Sequence, residues 1–370
     1  MYLKDIQRIL ESLAPPSLAW ERDNVGIQAG YPGQRVRKIL VALDVTDDVV
    51  AEAVRKRADL IVSHHPLFFH PLRSLRTDER LGRISSKIQG AGLAVYALHT
   101  NLDYAREGVN RALADALHLQ NPRPLEPLRG GYQKLIVFVP VEYSEKVMSA
   151  MVGAGAGAIG KYEECSFQVN GTGTFKPLGG AVPFIGTVQE RAHVNEQRLE
   201  MIVPRWKTGE VLRAMRGAHP YEEVAYDIYD LANASPEYGG GAIGTLKKAT
   251  TLKKFLGDVQ KKLHAGALRY AGELNTPVTT VAVFGGSGSD RMEHAIGQGA
   301  EVFVTADIRY HTFQESDGRI ALIDAGHYET EAPVIGHLSA HLRSNPLVQK
   351  EKVQIIPTET KTNFIHHFTH

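Results

Sequence analysis

The stretch of this chain best suited to chemistry is Ser63-His64-His65-Pro66. It follows the apolar run Leu60-Ile61-Val62, which reads as a buried strand, and Pro66 stops the ladder because it has no amide proton. Two imidazoles are therefore held at the carboxyl end of a strand, where open α/β sheets put their ligands. Side chains alternate along extended backbone, so His64 and His65 are expected to point to opposite sides and to suit two metal ions better than one. Taken alone, the pair reads more readily as solvated loop residues.

Two other stretches repeat the pattern. An apolar run from Leu93 to Leu98 ends in His99, with Asp103 four residues later, and Ile320-Ala321-Leu322-Ile323-Asp324 leads to His327 and Glu331 at the same spacing. A third segment, 300–307, resembles 58–65 and ends in Asp307. If the strands are parallel neighbours, His64, His65, His99 and Asp103 share one sheet edge, and Gly326 lets the backbone turn so that His327 and Glu331 face it. Such a nitrogen and oxygen set suits zinc, iron or manganese and not the thiolate-rich structural zinc class. A carboxylate between two ions gives the two-metal arrangement that activates a shared water.

The elements that must position these groups are legible in order. Leu3, Ile6, Ile9, Leu10 and Leu13 repeat at helical spacing before Pro15-Pro16, and a polar, turn-rich loop carries Trp20, Asp23, Asn24, Gly26 and Gln28. A strand over 38–44 precedes a helix starting at Thr46-Asp47-Asp48. Then come the histidine strand, a helix over 79–89, the strand ending at His99, and a helix over 109–117. Strand, helix, strand order implies parallel pairs with right-handed crossovers.

Residues 121–131 turn to proline, glycine and charge, the composition of a boundary. Beyond them, strand 133–140, helix 144–153, strands near 162–168, 171–175 and 198–203, helix 207–217 and a last strand near 224–229 spell a ferredoxin-like α+β domain. The Gly/Ala-rich run 151–160 lacks the Gly-Lys-Ser/Thr ending of a P-loop and reads as a turn. His219, Glu222 and Glu223 read either as ligands or as a cap and polar edge. Gly239-Gly240-Gly241 marks the return. A helix over 251–263 and a strand over 278–284 follow, the strand entering Gly285-Gly286-Ser287-Gly288, which reads as a phosphate-binding turn or as a tight turn that binds nothing.

The expected fold is α/β: two similar lobes, 1–127 and 235–370, forming one metal-binding core by internal duplication, with 128–234 inserted between them. The 370 residues, 43% hydrophobic and 22% charged, are enough for a large core without staples. A formal net charge of +1 supplies no global basic field for nucleic acid. The single cysteine, Cys165, excludes an internal disulfide and points to a reducing compartment. The start of the chain lacks the apolar core of a signal peptide, and no run of 18 apolar residues exists. A cytoplasmic protein without a membrane partner is the expectation.

At Ser63-His64-His65-Pro66, Leu98-His99-Thr100-Asn101-Leu102-Asp103 and Asp324-Ala325-Gly326-His327-Tyr328-Glu329-Thr330-Glu331 the chain resembles the NIF three-like dinuclear metal-centre proteins, known in bacteria as GTP cyclohydrolase I type 2 homologues. The resemblance implies that His64, His65, Asp103, His327 and Glu331 ligate two divalent ions, zinc first among the candidates, with Glu331 as the bridge. It leaves His99 behind the ligands or in an acid/base role, and places Asp307 and His311 in a further polar motif facing the cavity. It also implies that 132–231 is the insertion of longer members, similar to CutA and PII proteins, and that the assembly is a toroidal homohexamer, a trimer of dimers. The first expected function is a metal-dependent hydrolase that opens the imidazole ring of GTP and releases formate. Water activated by the ions would attack C8, His99 or His311 would shuttle protons, and Gly285, Gly286, Ser287 and Gly288 would hold phosphate. The alternative is a non-catalytic, metal-responsive scaffold that acts through the inserted domain.

Overall fold

The computed structural model describes residues 1–368. Four short strands build the first lobe: β1 (Gly26–Ala29), β2 (Lys38–Ala42), β3 (Leu60–Ser63) and β4 (Ala94–Ala97). β2, β3 and β4 are parallel, and all four residues of β3 and of β4 are buried. This is why they read as unbroken apolar runs: a parallel strand covered on both faces has no solvent side to mark with polar residues. The helix Asp47–Arg55 makes the crossover from β2 to β3, started by Thr46, whose hydroxyl accepts from the amide of Val49. The helix Arg80–Gly90 makes the next crossover.

The polar loop expected after the first helix contains β1, which pairs antiparallel with β4 through Gly26, Ile27 and Ala29. Its four residues are all half-buried, so neither alternation nor an apolar run marks it in the sequence. A pairing partner supplied by the fold decides its conformation.

β5 (Gln120–Arg129) follows, and after it β6 (Tyr132–Pro140), β7 (Ser166–Phe175), β8 (Ala192–Pro204) and β9 (Tyr226–Leu231). The chain divides into two compact units, one formed by Met1–Pro127 with Glu237–His370 and the other by Leu128–Pro236. The latter unit is ferredoxin-like, with an antiparallel sheet in the order β7-β8-β6-β9 and the helices Ser144–Gly153 and Thr208–Ala218. Its core has Leu135, Val137, Leu199 and Met201 of the sheet against Val147, Met151, Val211 and Met215 of the helices. The strands expected separately at 162–168 and 171–175 form the single strand β7, because Asn170 and Gly171 continue the ladder with β8.

The second lobe contains β10 (Ala234–Thr251), β11 (Arg269–Ala271), β12 (Pro277–Ser287), β13 (Val302–Ala306) and β14 (Ala321–Asp324), in the sheet order β11-β14-β13-β12-β10-β5. β12, β13 and β14 are parallel and β11 joins antiparallel, which repeats the arrangement of β2, β3, β4 and β1. The chain is therefore two similar α/β lobes with an inserted ferredoxin-like domain. Leu252, Phe255 and Val259 of the helix Leu252–Leu263 pack on Val281 and Val283, each such burial contributing about 1.5–3 kcal/mol. A last strand, β15 (Gln354–Pro357), returns to the first lobe and pairs parallel with β2. No helix is long and apolar enough to cross a membrane among the described residues.

Candidate metal centre

β3 ends at Ser63, and the chain bends through His64 and His65. Their rings therefore do not diverge to opposite sides as on extended backbone; the centroids lie 4.9 Å apart, and both Nε2 atoms meet the same carboxylate. That carboxylate is Glu331, at the end of the short helix His327–Glu331. Its Oε2 lies 3.1 Å from His65 Nε2, and its Oε1 lies 3.1 Å from His327 Nε2 and 3.6 Å from His64 Nε2. Asp103 Oδ1 lies 3.7 Å from His64 Nε2. Gly326, at φ +90°, makes the left-handed turn that brings His327 and Glu331 into this position, a conformation favouring glycine.

The donor atoms fall into two overlapping groups, His64 with His65 and His99, and His65 with His327 and Glu331. Within each group they lie within 4.8 Å of one another. The structure thus brings together all five of the expected ligands and adds His99, whose ring is 5.4 Å from that of His64 and 5.7 Å from that of His65.

Each histidine is pinned through its other nitrogen. His64 Nδ1 donates to the Leu98 carbonyl at 2.9 Å, His65 Nδ1 to Asp44 at 2.7 Å, His99 Nδ1 to Asp23 at 2.8 Å and His327 Nδ1 to Asp307 at 2.6 Å. A proton fixed on Nδ1 leaves the lone pair on Nε2 facing inward, the usual second-sphere arrangement around metal-ligating histidine. Asp23 also takes the amide and hydroxyl of Thr100, and Asp44 takes the hydroxyl of Thr362 from the far end of the chain. Asp324 accepts from the amides of Ile308 and Gly326, so one buried carboxylate braces the loops that carry Asp307 and His327. In the sequence Asp23 stands in a polar loop and Asp44 at the last position of the strand expected over 38–44. The strand end is the signal Asp44 offers, and Asp23 offers none beyond its place in the loop.

Electrostatics follow from burial. Burial opposes charge on His65, but Asp44 and Glu331 outweigh it and push its pKa up to about 10. Burial likewise opposes charge on His327, and Glu331 and Asp307 raise it to about 9. His64 is fully enclosed, and desolvation lowers its pKa. Burial pushes the Asp103 carboxyl well up, with the Glu331 charge adding to the effect. Burial also disfavours the Glu331 charge, yet the imidazoles of His64, His327 and His65 hold the carboxyl well below its ordinary value. His64 Nε2, Asp103 Oδ1 and Glu331 Oε2 are buried without a hydrogen-bond partner. Orphaned acceptors of this kind are costly, and a divalent cation satisfies them together. The donor set therefore fits a divalent metal.

The remaining expected residues have other surroundings. His311 is exposed on the helix Tyr310–Glu315, where its ring packs on Tyr310 and bonds Gln314. The expected phosphate turn spends its amides internally: Gly285 donates to Asn110, Gly286 to Thr330 and Gly288 to Thr305. Ser287 belongs to β12, in register with Ala306 of β13. These glycines instead allow a close approach. A Cβ on Gly286, whose φ is +66°, would lie 2.3 Å from Glu331 Oε1 and 3.1 Å from His327 Nε2.

The sequence matches the Duf34/NIF3 (NGG1p interacting factor 3) family over residues 1–363. It is 41% identical to the GTP cyclohydrolase 1 type 2 homolog of Bacillus subtilis over 362 residues, which cover 97% of each chain. The homolog from Halalkalibacterium halodurans is 43% identical over 323 residues, 86% of this chain and 87% of that one. Among solved structures, a Bacillus cereus protein related to NIF3 superposes with a TM-score of 0.90 at 38% identity, covering 100% of this chain and 99% of that one. A paired set of α/β lobes, a histidine cluster at their strand ends and a match across nearly the whole length lead to one assignment: the chain belongs to the Duf34/NIF3 family.

Proposed function

We propose that the chain is a metal-dependent hydrolase that holds two divalent ions, zinc, iron or manganese, through His64, His65, Asp103, His327 and Glu331. The observation that carries this reading is Glu331, a buried carboxylate whose two oxygens face three imidazole Nε2 atoms, each imidazole pinned from behind. Bound ions supply Lewis-acid activation of water and of a polarised substrate atom. The chain's own residues do the rest. The Nδ1 bonds hold the four rings in place, and His99 Nε2 accepts and returns the proton while Asp23 stabilises the imidazolium. The substrate is a nucleotide, GTP in the first instance, with opening of the imidazole ring and loss of formate. The names borne by the Bacillus subtilis and Halalkalibacterium halodurans relatives support this choice. The inserted domain is CutA/PII-like and the assembly a cytoplasmic homohexamer, a trimer of dimers that closes over sites set at sheet edges.

The test is chemical. Protein reconstituted with defined metal and incubated with GTP releases formate, and the chelator-treated protein does not. Two ions bound without formate release reject the hydrolase and leave the metal-responsive scaffold. Light scattering at the 40.7 kDa of a single chain rejects the hexamer.

A further inference from the structure

The segment His219-Pro220-Tyr221-Glu222 plays no part in the metal centre, and the structure gives it other work. Both ring nitrogens of His219 are used inside the inserted domain. Nε2 donates to the Phe138 carbonyl at 3.0 Å, and Nδ1 accepts the Tyr221 amide at 3.1 Å. His219 is therefore a brace, not a ligand. It fixes Tyr221 in the wall of a cavity of about 480 Å³, which lies within the range of small-molecule sites. Phe138, Phe175 and Phe184 also line this cavity. Tyr221 meets Phe175 edge-on at 5.7 Å and Phe184 at 6.3 Å, and Phe184 is 51% exposed. Glu222 accepts the Val182 amide at 3.0 Å, which ties the loop bearing Pro183, Phe184 and Ile185 to the same wall.

Glu196 of β8 gives the cavity its chemical sense. It is only 8% exposed, and across the cavity wall it accepts from the neutral Tyr221 hydroxyl, which donates to Oε1 at 3.1 Å. No cation pairs with it among the described residues. Its other oxygen lies over Gly173, where a Cβ would sit 1.9 Å away, so the backbone is left bare to admit the carboxylate. A buried carboxylate without a cation is expensive unless something else supplies the charge. Glu222 and Glu223 also line the cavity against a single Lys176, so its field repels anions.

We infer that this cavity of the inserted domain binds a small organic cation, an ammonium group on an apolar or aromatic body. The ammonium pairs with Glu196 and the body lies among the rings of Phe175, Phe184 and Tyr221, a setting in which cation and π-face attract. The inference is independent of the reaction proposed for the metal centre.

Calorimetric titration of the full-length protein with phenethylamine, 2-phenylethanol and phenylacetate tests it. These probes share the ring and differ in charge. The amine is expected to bind roughly tenfold or more tighter than the alcohol, and phenylacetate not to bind. Glu196→Gln should abolish the preference for amine over alcohol, and Phe184→Ala should weaken both while metal content stays at the wild-type level. Equal affinity for amine and alcohol, tighter binding of phenylacetate, or no heat from any probe at millimolar concentration overturns the inference. So does an amine affinity unchanged in a folded Glu196→Gln protein. Should that variant fail to fold, the comparison of the three probes on the wild type decides alone.

Discussion

At the scale of single residues, the centre depends on Glu331 touching three imidazoles while its own charge is held by them. Glu331→Gln keeps the shape and removes the charge, and a neutral amide is a poor bridge between cations. Metal analysis of the purified variant should give about one ion per chain or fewer in place of two. Two ions at full occupancy would show that another group bridges them. Gly286 is the second sensitive position. Its left-handed backbone and the 2.3 Å approach to Glu331 leave no room for a methyl group. Gly286→Ala should add about 1–2 kcal/mol of local strain and displace the carboxylate. The expected outcome is reduced metal content with an unchanged far-UV circular dichroism spectrum, a combination that general unfolding would not produce.

Among the elements, the segment after β15 is tied down by one buried acid. Glu52, on the helix Asp47–Arg55, accepts from the hydroxyls of Thr358 and Thr360, from the amides of Glu359 and Thr360, and from Lys56. Burial raises its pKa, but the bonds from Lys56, Thr358 and Thr360 outweigh this and bring it from 4.5 to about 2. A carboxyl depressed in the folded state stabilises it fully above its unfolded value and loses that contribution as pH falls toward the folded one. The clamp therefore contributes up to about 3 kcal/mol above pH 4.5, fading toward pH 2. Urea denaturation of the wild type and Glu52→Gln should differ by about 2–3 kcal/mol at neutral pH and converge in acid. A gap that stays constant across that range would remove Glu52 as its source. The same segment reaches the metal centre, since Thr362 donates to Asp44, which holds His65.

For the whole molecule, the separation of labour between the two units has a direct consequence. Every candidate ligand and every carboxylate behind it lies in Met1–Pro127 or Glu237–His370, and the unit Leu128–Pro236 has its own apolar core. The chain leaves and returns close together, because a Cβ on Gly239 would lie 2.3 Å from the Glu126 carbonyl oxygen. Excising 132–231 and joining the ends with a short Gly/Ser linker should give a soluble protein whose metal content equals that of the full chain. An insoluble or metal-free product would show that the core needs the insertion.

What adjacent residues decide is legible in the amino-acid order alone. The cap at Thr46, the buried runs ending at Ser63 and Ala97, the glycine turn before His327 and the composition change before the insertion each depend on a few adjacent residues. The four-residue spacing of His99 with Asp103 and of His327 with Glu331 was legible for the same reason. Which carboxylate stands behind which imidazole depends on how distant segments come together in the fold. Asp23 meets His99 across 76 residues, and Thr362 meets Asp44 across 318. It also made strands of Gly26–Ala29 and Gln354–Pro357, which carry no clear periodicity and gain their conformation from β4 and β2. The glycine turn at Gly285, Gly286 and Gly288 shows the limit most directly, since the pattern reads as a set of free amides until the fold brings Asn110, Thr330 and Thr305 to occupy them. Caps and periodicity are local free-energy preferences, whereas pairing between distant side chains depends on sheet register, which no short window of sequence contains.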